Sequence, residues 1–241
     1  MKRTRATVSF SIFLLLAISA SAQGTFQNLD FEQANPVYDT ASPLYPTDPV
    51  VTAASALPYW TVSYSTPVFQ GTDLFLNTYT AGSPGIETFG PNNPATTAQP
   101  GAIDGHYSVF LEGGLNPPST LVSASISQTG MVPVGSESLQ FEVWRSLPSN
   151  SAITFDGNNL SPIVLGTGAD YTLYGVNIAP FAGETGQLEF TSTLPESGLT
   201  LFGLDDISFS QTAVAPEPSP LILYGIGSLL LCARRWIRSP K

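Results

Sequence analysis

Between Gly24 and Ala215 the chain alternates apolar and polar residues in short runs, and no run sustains a helical or heptad period. LQFEVWRS is the clearest case. It sets Leu139, Phe141 and Val143 on one face and Gln140, Glu142 and Trp144 on the other. A period of two suits a pleated strand with one face in a core and one in water. SASISQTGMVPV alternates through Ala124, Ile126 and Gln128, and AITFDGNNL reads as a strand entering an Asp156-Gly157 turn. GQLEFTST and LTLFGLDDISFS close the body, with Leu201, Ile207 and Phe209 facing inward. By the same parity Asp205 shares the face of Ile207 and Phe209. Asp104-Gly105, Gly113-Gly114 and Pro117-Pro118 punctuate the runs as turns. Short strands, Gly/Pro turns and no crossover helices predict an all-β antiparallel sandwich. Two Pro- and Thr-rich stretches, Ala34 to Pro58 and Thr80 to Gly101, are too long for hairpin loops. They are expected to be long loops, either a binding rim or inert decoration.

The placement of charge narrows the partners. The 241-residue chain has eight Lys and Arg, and seven of them lie at its two ends. Between Gly24 and Ala215 one basic side chain, Arg145, faces all but one of the 18 acids. Such a body repels nucleic acid and anionic lipid, and it suits cations such as calcium, neutral glycans or plain solvation. Cys232, in the C-terminal apolar run, is the only cysteine, so the body forms no internal disulfide. G-x-S-x-G, phosphate-loop and H-E-x-x-H motifs are absent. His106 is the one histidine, which excludes a His-rich metal centre within the chain. Acids are plentiful enough for a carboxylate pair, but no spacing selects one. The reading is that the chain is not an enzyme.

The ends read as targeting segments. Residues 1–22 combine basic Lys2, Arg3 and Arg5, an apolar Val8 to Ile18, and small Ala20 and Ala22 for cleavage before Gln23. At the other end Pro216-Glu217-Pro218 precedes the apolar Leu221 to Ala233, then Arg234, Arg235 and Arg238. Thirteen helical residues span about 20 Å against a hydrocarbon core of about 30 Å. Extension over about residues 219–237, with snorkelling arginines, predicts a single transmembrane helix with the body outside.

Two family resemblances rest on these residues. NLDFEQ, LPYWTVS, DGHYSVFLEG, ISQTGMVPVGSESLQFEV, FAGETGQLEFTS and GLDDISFS follow one another in the order of the galactose-binding-like jelly rolls, the fold of many carbohydrate-binding modules. Pro58-Tyr59 replaces the glycine that precedes the tryptophan there, and Asn28-Leu29-Asp30 replaces the opening Asn-Gly. The resemblance implies a jelly-roll β-sandwich over residues 23–211. It also implies a structural calcium between first and last strands, carried here onto Asp30, Glu32, Asp205 and Asp206. Capping of a strand end in solvent is the alternative for the two aspartates. A ligand platform is expected at Tyr59, Trp60, Trp144 and Arg145, with burial in the core as the alternative for both tryptophans.

Residues 212–241 resemble the PEP-CTERM sorting signal of Gram-negative bacteria, with its motif at residues 216–218 and a basic end at 234–241. That resemblance implies signal peptidase and exosortase as partners, a membrane-anchored precursor, and a final place on the cell surface or in a biofilm matrix. The function expected from both is a sorted surface protein with a non-catalytic glycan-binding module, its partner an extracellular polysaccharide. The alternatives are a structural surface protein without a ligand, or a small glycan-active enzyme.

Overall fold

The structure is a computed structural model, and it describes residues 25–65, 73–80, 82–116, 120–193 and 201–214. Fourteen strands are present among them. They are β1 (Val50–Thr52), β2 (Thr61–Tyr64), β3 (Asp73–Leu76), β4 (Gly85–Phe89), β5 (Ser108–Glu112), β6 (Gly114–Asn116) and β7 (Thr120–Met131). The second half supplies β8 (Ser138–Trp144), β9 (Ser151–Phe155), β10 (Asn158–Asn159), β11 (Ile163–Thr167), β12 (Tyr171–Asn177), β13 (Thr185–Thr193) and β14 (Phe202–Ser210). The larger sheet runs β1-β3-β4-β5-β14-β8-β12-β11. The smaller runs β10-β9-β13-β7-β2, and β6 also pairs with β7.

The alternating runs explain the packing of these sheets. Leu139, Phe141 and Val143 of β8 are fully buried between the sheets, as are Ala124 and Ile126 of β7 and Phe190 of β13. Phe141 and Phe190 meet edge-on across the sandwich at 5.4 Å between ring centres. A second, smaller apolar cluster lies on the outer face of the larger sheet. It holds Phe89, Ala95, Phe110 and Trp144, with Ile103 and Leu201 against it. Trp144 therefore points away from the main core, as its parity requires, and is still only 8% exposed. Its indole N–H donates to the Thr96 carbonyl at 2.8 Å, which ties residues 90–103 over the sheet.

Several expectations are corrected. The fold is an all-β, two-sheet sandwich, but its larger sheet is mixed rather than antiparallel. β3 and β4 are parallel, with Phe75 opposite Glu87, and residues 77–80 lie between them along the outer face. The two supposed long loops contain elements of their own, β1 with the helix α1 (Ala53–Ala56) in the first and β4 in the second. NLDFEQ is not a strand. Asn28 and Phe31 adopt left-handed backbone at φ 49° and 56°, which turns the segment while Leu29 and Phe31 stay fully buried. A jelly roll flanked by two helices is not what the described residues form. Among them helix is limited to four-residue α1, about 6 Å long by helical rise, and one 3-10 turn at Ala179–Phe181. No helix there is long and apolar enough to cross a membrane. The expected signal helix at 1–22 and transmembrane helix at about 219–237 lie outside the described residues.

Candidate functional site

The closing strand breaks its own parity. Leu204 pairs with Val143 and Asp205 with Glu142, but the register then slips before Ser208 meets Gln140. Asp206 absorbs the extra residue at φ 42°. This bulge puts Leu204, Ile207 and Phe209 inward and Asp205 and Ser208 outward. Asp205 thus does not share a face with Ile207 and Phe209. It is 1% exposed because the Asp104–Ser108 turn lies over it. Its Oδ2 accepts from the Asp104 N–H at 3.1 Å and from the Ser108 hydroxyl, and its Oδ1 accepts from the Asp206 N–H at 2.8 Å. Burial pushes the Asp205 carboxyl up to about 8, against the pull of those donors.

Glu32 docks on the same turn from the opening segment. Its Oε1 accepts from the N–H groups of His106 and Tyr107 at 2.6 and 2.9 Å, and its Oε2 lies 3.0 Å from His106 Nδ1. Asp30 and Asp206 are exposed. Burial, and then the charges of Asp104 and Asp30, raise Asp206. Glu142 on β8 completes the seam. It is 8% exposed, and its Oε2 is buried without a hydrogen-bond partner. Burial pushes Glu142 up to about 7; a hydrogen bond from Tyr171 opposes this, and Asp206, Asp104 and Asp170 add to it.

Six carboxylates therefore crowd one seam between the opening segment, the 104–108 turn, β8 and β14. The quartet expected from sequence is not a closed ligand set, since Asp205 and most of Glu32 are spent on N–H and O–H donors. Among the described residues no three His, Cys, Asp or Glu side chains stand ready to hold a metal. Around the unpartnered Glu142 oxygen the charged groups are the carboxylates of Asp206, Asp104 and Asp170. Asp104 and Glu142 were missed in the sequence, although Asp104 opens a turn and Glu142 alternates outward on a strand.

The aromatic quartet is divided between two cores. Trp60, 6% exposed, packs against Phe31 and Phe190 between the sheets, and its indole N–H donates to the Asn28 carbonyl at 2.9 Å. Trp144 belongs to the outer cluster, with the Arg145 guanidinium 5.4 Å from its ring centre. Tyr59 and Arg145 are exposed, both with left-handed backbone at φ 73° and 60°. The sorting motif Pro216, Glu217 and Pro218, the cleavage residues Ala20 and Ala22, and the basic Arg234, Arg235 and Arg238 lie outside the described residues.

Two further acid pairs were not legible in the sequence. Asp39 and Asp73 line a cleft of about 390 Å³ with Trp60, Thr52 and Thr61. Burial raises Asp73, a hydrogen bond from Ser42 opposes that, and a hydrogen bond with Asp39 adds to it. Glu87 of β4 and Glu112 of β5 are both wholly buried on the outer face of the larger sheet, beneath Thr80 and Gly82. Burial and then the Glu112 charge hold Glu87 well above the usual carboxylate range.

No protein-family model and no curated protein matches the chain. Among solved structures it is similar to the enzymatically active domain of tailspike protein 4 of bacteriophage CBA120, at 14% identity and TM-score 0.38. That likeness covers 78% of this chain, which spans only 21% of the tailspike chain. A Stig cyclase of Fischerella sp. TAU is similar at 12% identity and TM-score 0.44, over 79% of this chain and 97% of that one. The cleaved adhesin domain of Lys-gingipain from Porphyromonas gingivalis follows at 12% identity and TM-score 0.37, over 66% and 92%. These values assign the chain neither a family nor a ligand.

The absence of any family or curated match overturns the resemblances drawn from sequence. The chain is assigned neither to the PEP-CTERM proteins nor to the galactose-binding-like modules. Signal peptidase, exosortase and extracellular polysaccharide fall away as partners, and no comparison supports a membrane anchor. Export, the anchored precursor, the cell-surface or matrix location and the glycan-binding function find no support in the comparisons and are withdrawn. The physical reason is that short motifs such as L-D-D or P-E-P recur wherever strands end in acids or prolines precede an apolar run. Their order alone does not identify a family.

Proposed function

We propose that this domain is a non-catalytic β-sandwich whose opening and closing segments are clamped by a divalent cation, with calcium the ion its ligand chemistry suits. The supporting observation is Glu142, a nearly buried carboxylate whose Oε2 has no partner and whose charged neighbours are all acids. A buried carboxylate needs a hydrogen-bond donor, a proton or a cation. The sequence from residue 25 to 214 has no Lys or Arg except Arg145, and Arg145 lies over Trp144. Glu142 and its neighbours Asp206 and Asp104 would supply only oxygen, the donor that calcium prefers, and the ion would have to draw them together, since no three stand within reach of one ion beforehand. Such an ion would neutralise the repulsion in the seam and bind the folded state selectively, which stabilises it. The non-catalytic reading rests on the single histidine and the missing nucleophile motifs.

The test is the melting temperature of the full chain in calcium and in chelator. Calcium is expected to raise it, and Asp206→Asn is expected to remove part of that rise. A wild-type melting temperature that calcium leaves unchanged would refute the clamp.

A further inference from the structure

Residues 38–48 wind back on themselves at the β1 edge of the larger sheet and set two phenols side by side. Tyr38 is fixed by an antiparallel bridge to Val51. The neighbouring Asp39 and Thr52 N–H groups complete that pairing, donating to the Val50 and Val37 carbonyls at 3.1 Å. Turns follow. The Ser42 N–H donates to the Asp39 carbonyl and the Tyr45 N–H to the Ser42 carbonyl, each at 3.2 Å. The buried Ser42 side chain bonds Asp73 of β3, which pins the bend to the sheet. The Thr47 and Asp48 N–H groups both donate to the Leu44 carbonyl at 3.1 Å and close the bend on its far side.

This backbone brings the Tyr38 and Tyr45 rings to 6.3 Å between centres, tilted by 46°. Both rings are in solvent, 54% and 39% exposed, and neither belongs to the apolar clusters of the sandwich. Every other ring contact among the described residues includes a Phe or a Trp, and those rings form the cores. Tyr59 and Tyr79 are equally exposed but lie in no such pair. The 38–45 pair is thus set apart by chemistry and access together: two phenols, in contact, open to a soluble reagent.

We propose that Tyr38 and Tyr45 are an oxidative cross-linking site, joined as dityrosine within one chain when hydrogen peroxide and a haem peroxidase act on the protein. Each phenol gives up one electron and its O–H proton, which leaves two phenoxyl radicals with spin on the ring carbons ortho to oxygen. Two ortho carbons form a C–C bond, and their hydrogens move to the oxygens to restore both phenols. Two electrons and two protons leave in all, and one hydrogen peroxide takes them up to become two waters. Exposed side chains change rotamer within nanoseconds, so rings held this close sample the bonding approach readily. Their tether makes the coupling intramolecular at a high effective concentration. Repulsion between these acidic chains slows the competing coupling of two molecules. The chain has no cysteine between residues 25 and 214, so dityrosine is a covalent closure open to this body where a disulfide is not.

The test treats the dilute full chain with hydrogen peroxide and a haem peroxidase, separates monomer from dimer, and reads the blue fluorescence of dityrosine in the monomer. Mass spectrometry should find the segment that carries Tyr38 and Tyr45 lighter by two hydrogens. The rate of its formation should not fall when the protein is diluted further, as an intramolecular step requires. Tyr38→Phe and Tyr45→Phe each remove one phenol and keep the ring, and each should abolish the monomer signal. Tyr59→Phe should leave it unchanged. Dityrosine confined to dimers, or a monomer signal that survives in Tyr38→Phe or Tyr45→Phe, would overturn the site. So would the absence of dityrosine under conditions that couple free tyrosine.

Discussion

Raising the pH from about 5 to about 8 in chelator should destabilise this fold, and Asp205 should set much of the slope. Its carboxyl is 1% exposed beneath the Asp104–Ser108 turn, and burial pushes it up to about 8 from an ordinary 3.8. Between those two values the native chain holds a proton that the unfolded chain has released. The unfolded state then binds fewer protons, so the free energy of unfolding falls as pH rises. The stabilisation is full below the unfolded value and is lost as pH rises through the folded one. One proton is worth about 1.4 kcal/mol per pH unit, so three units set a ceiling of about 4 kcal/mol. The ionised carboxylate keeps the Ser108, Asp104 and Asp206 donors, and local opening admits water, which brings the expected loss to about 2 kcal/mol. Glu142, held at about 7, acts in the same direction. Urea unfolding followed by the fluorescence of Trp60 and Trp144 would give the midpoints at each pH. General repulsion in an acidic chain also grows with pH, so the decisive comparison is Asp205→Asn, which cannot ionise. Its stability should fall less steeply, by about one proton's worth. Equal slopes in the two chains would refute the assignment of the shift to Asp205.

Two other substitutions probe the packing. Trp144→Ala should cost about 3–5 kcal/mol, because it empties the outer cluster and frees the Thr96 carbonyl. Limited proteolysis should then cut first within residues 90–103, and protection equal to wild type would contradict the role given to the indole. Gly85→Ala should cost about 1–3 kcal/mol by driving a methyl into Thr80 and Glu87, measured as a lower urea midpoint with an unchanged slope. A neutral Gly85→Ala would show that Thr80 does not press on the sheet there.

What the sequence disclosed follows one physical rule, and so does what it concealed. β7, β8 and β13 were legible because alternation reports which face of a strand each side chain takes. Leu139, Phe141 and Val143 point inward as read, and Glu142 and Trp144 point outward as read. Face is not exposure, however. The outer face of the larger sheet is itself covered by Thr80 and Gly82, by residues 90–103 and by the 104–108 turn, segments outside the strands beneath them. That cover buries Trp144 and encloses Glu87, Glu112, Glu142 and Asp205, acids that alternation alone assigns to water. NLDFEQ and the Asp206 bulge were illegible for a different reason. Left-handed backbone at Asn28, Phe31 and Asp206 shifts the phase of the alternation, and none of the three is a glycine that would mark it. The carboxylates buried in this way are the ones left without enough donors, and a chain with one basic residue between 25 and 214 cannot supply those donors from its own side-chain cations. The demand for protons or metal ions therefore arises from the covering segments, not from the strands that carry the acids. A variant that detaches a cover, such as Trp144→Ala, should therefore shrink the calcium-induced rise in melting temperature without touching a carboxylate of the seam.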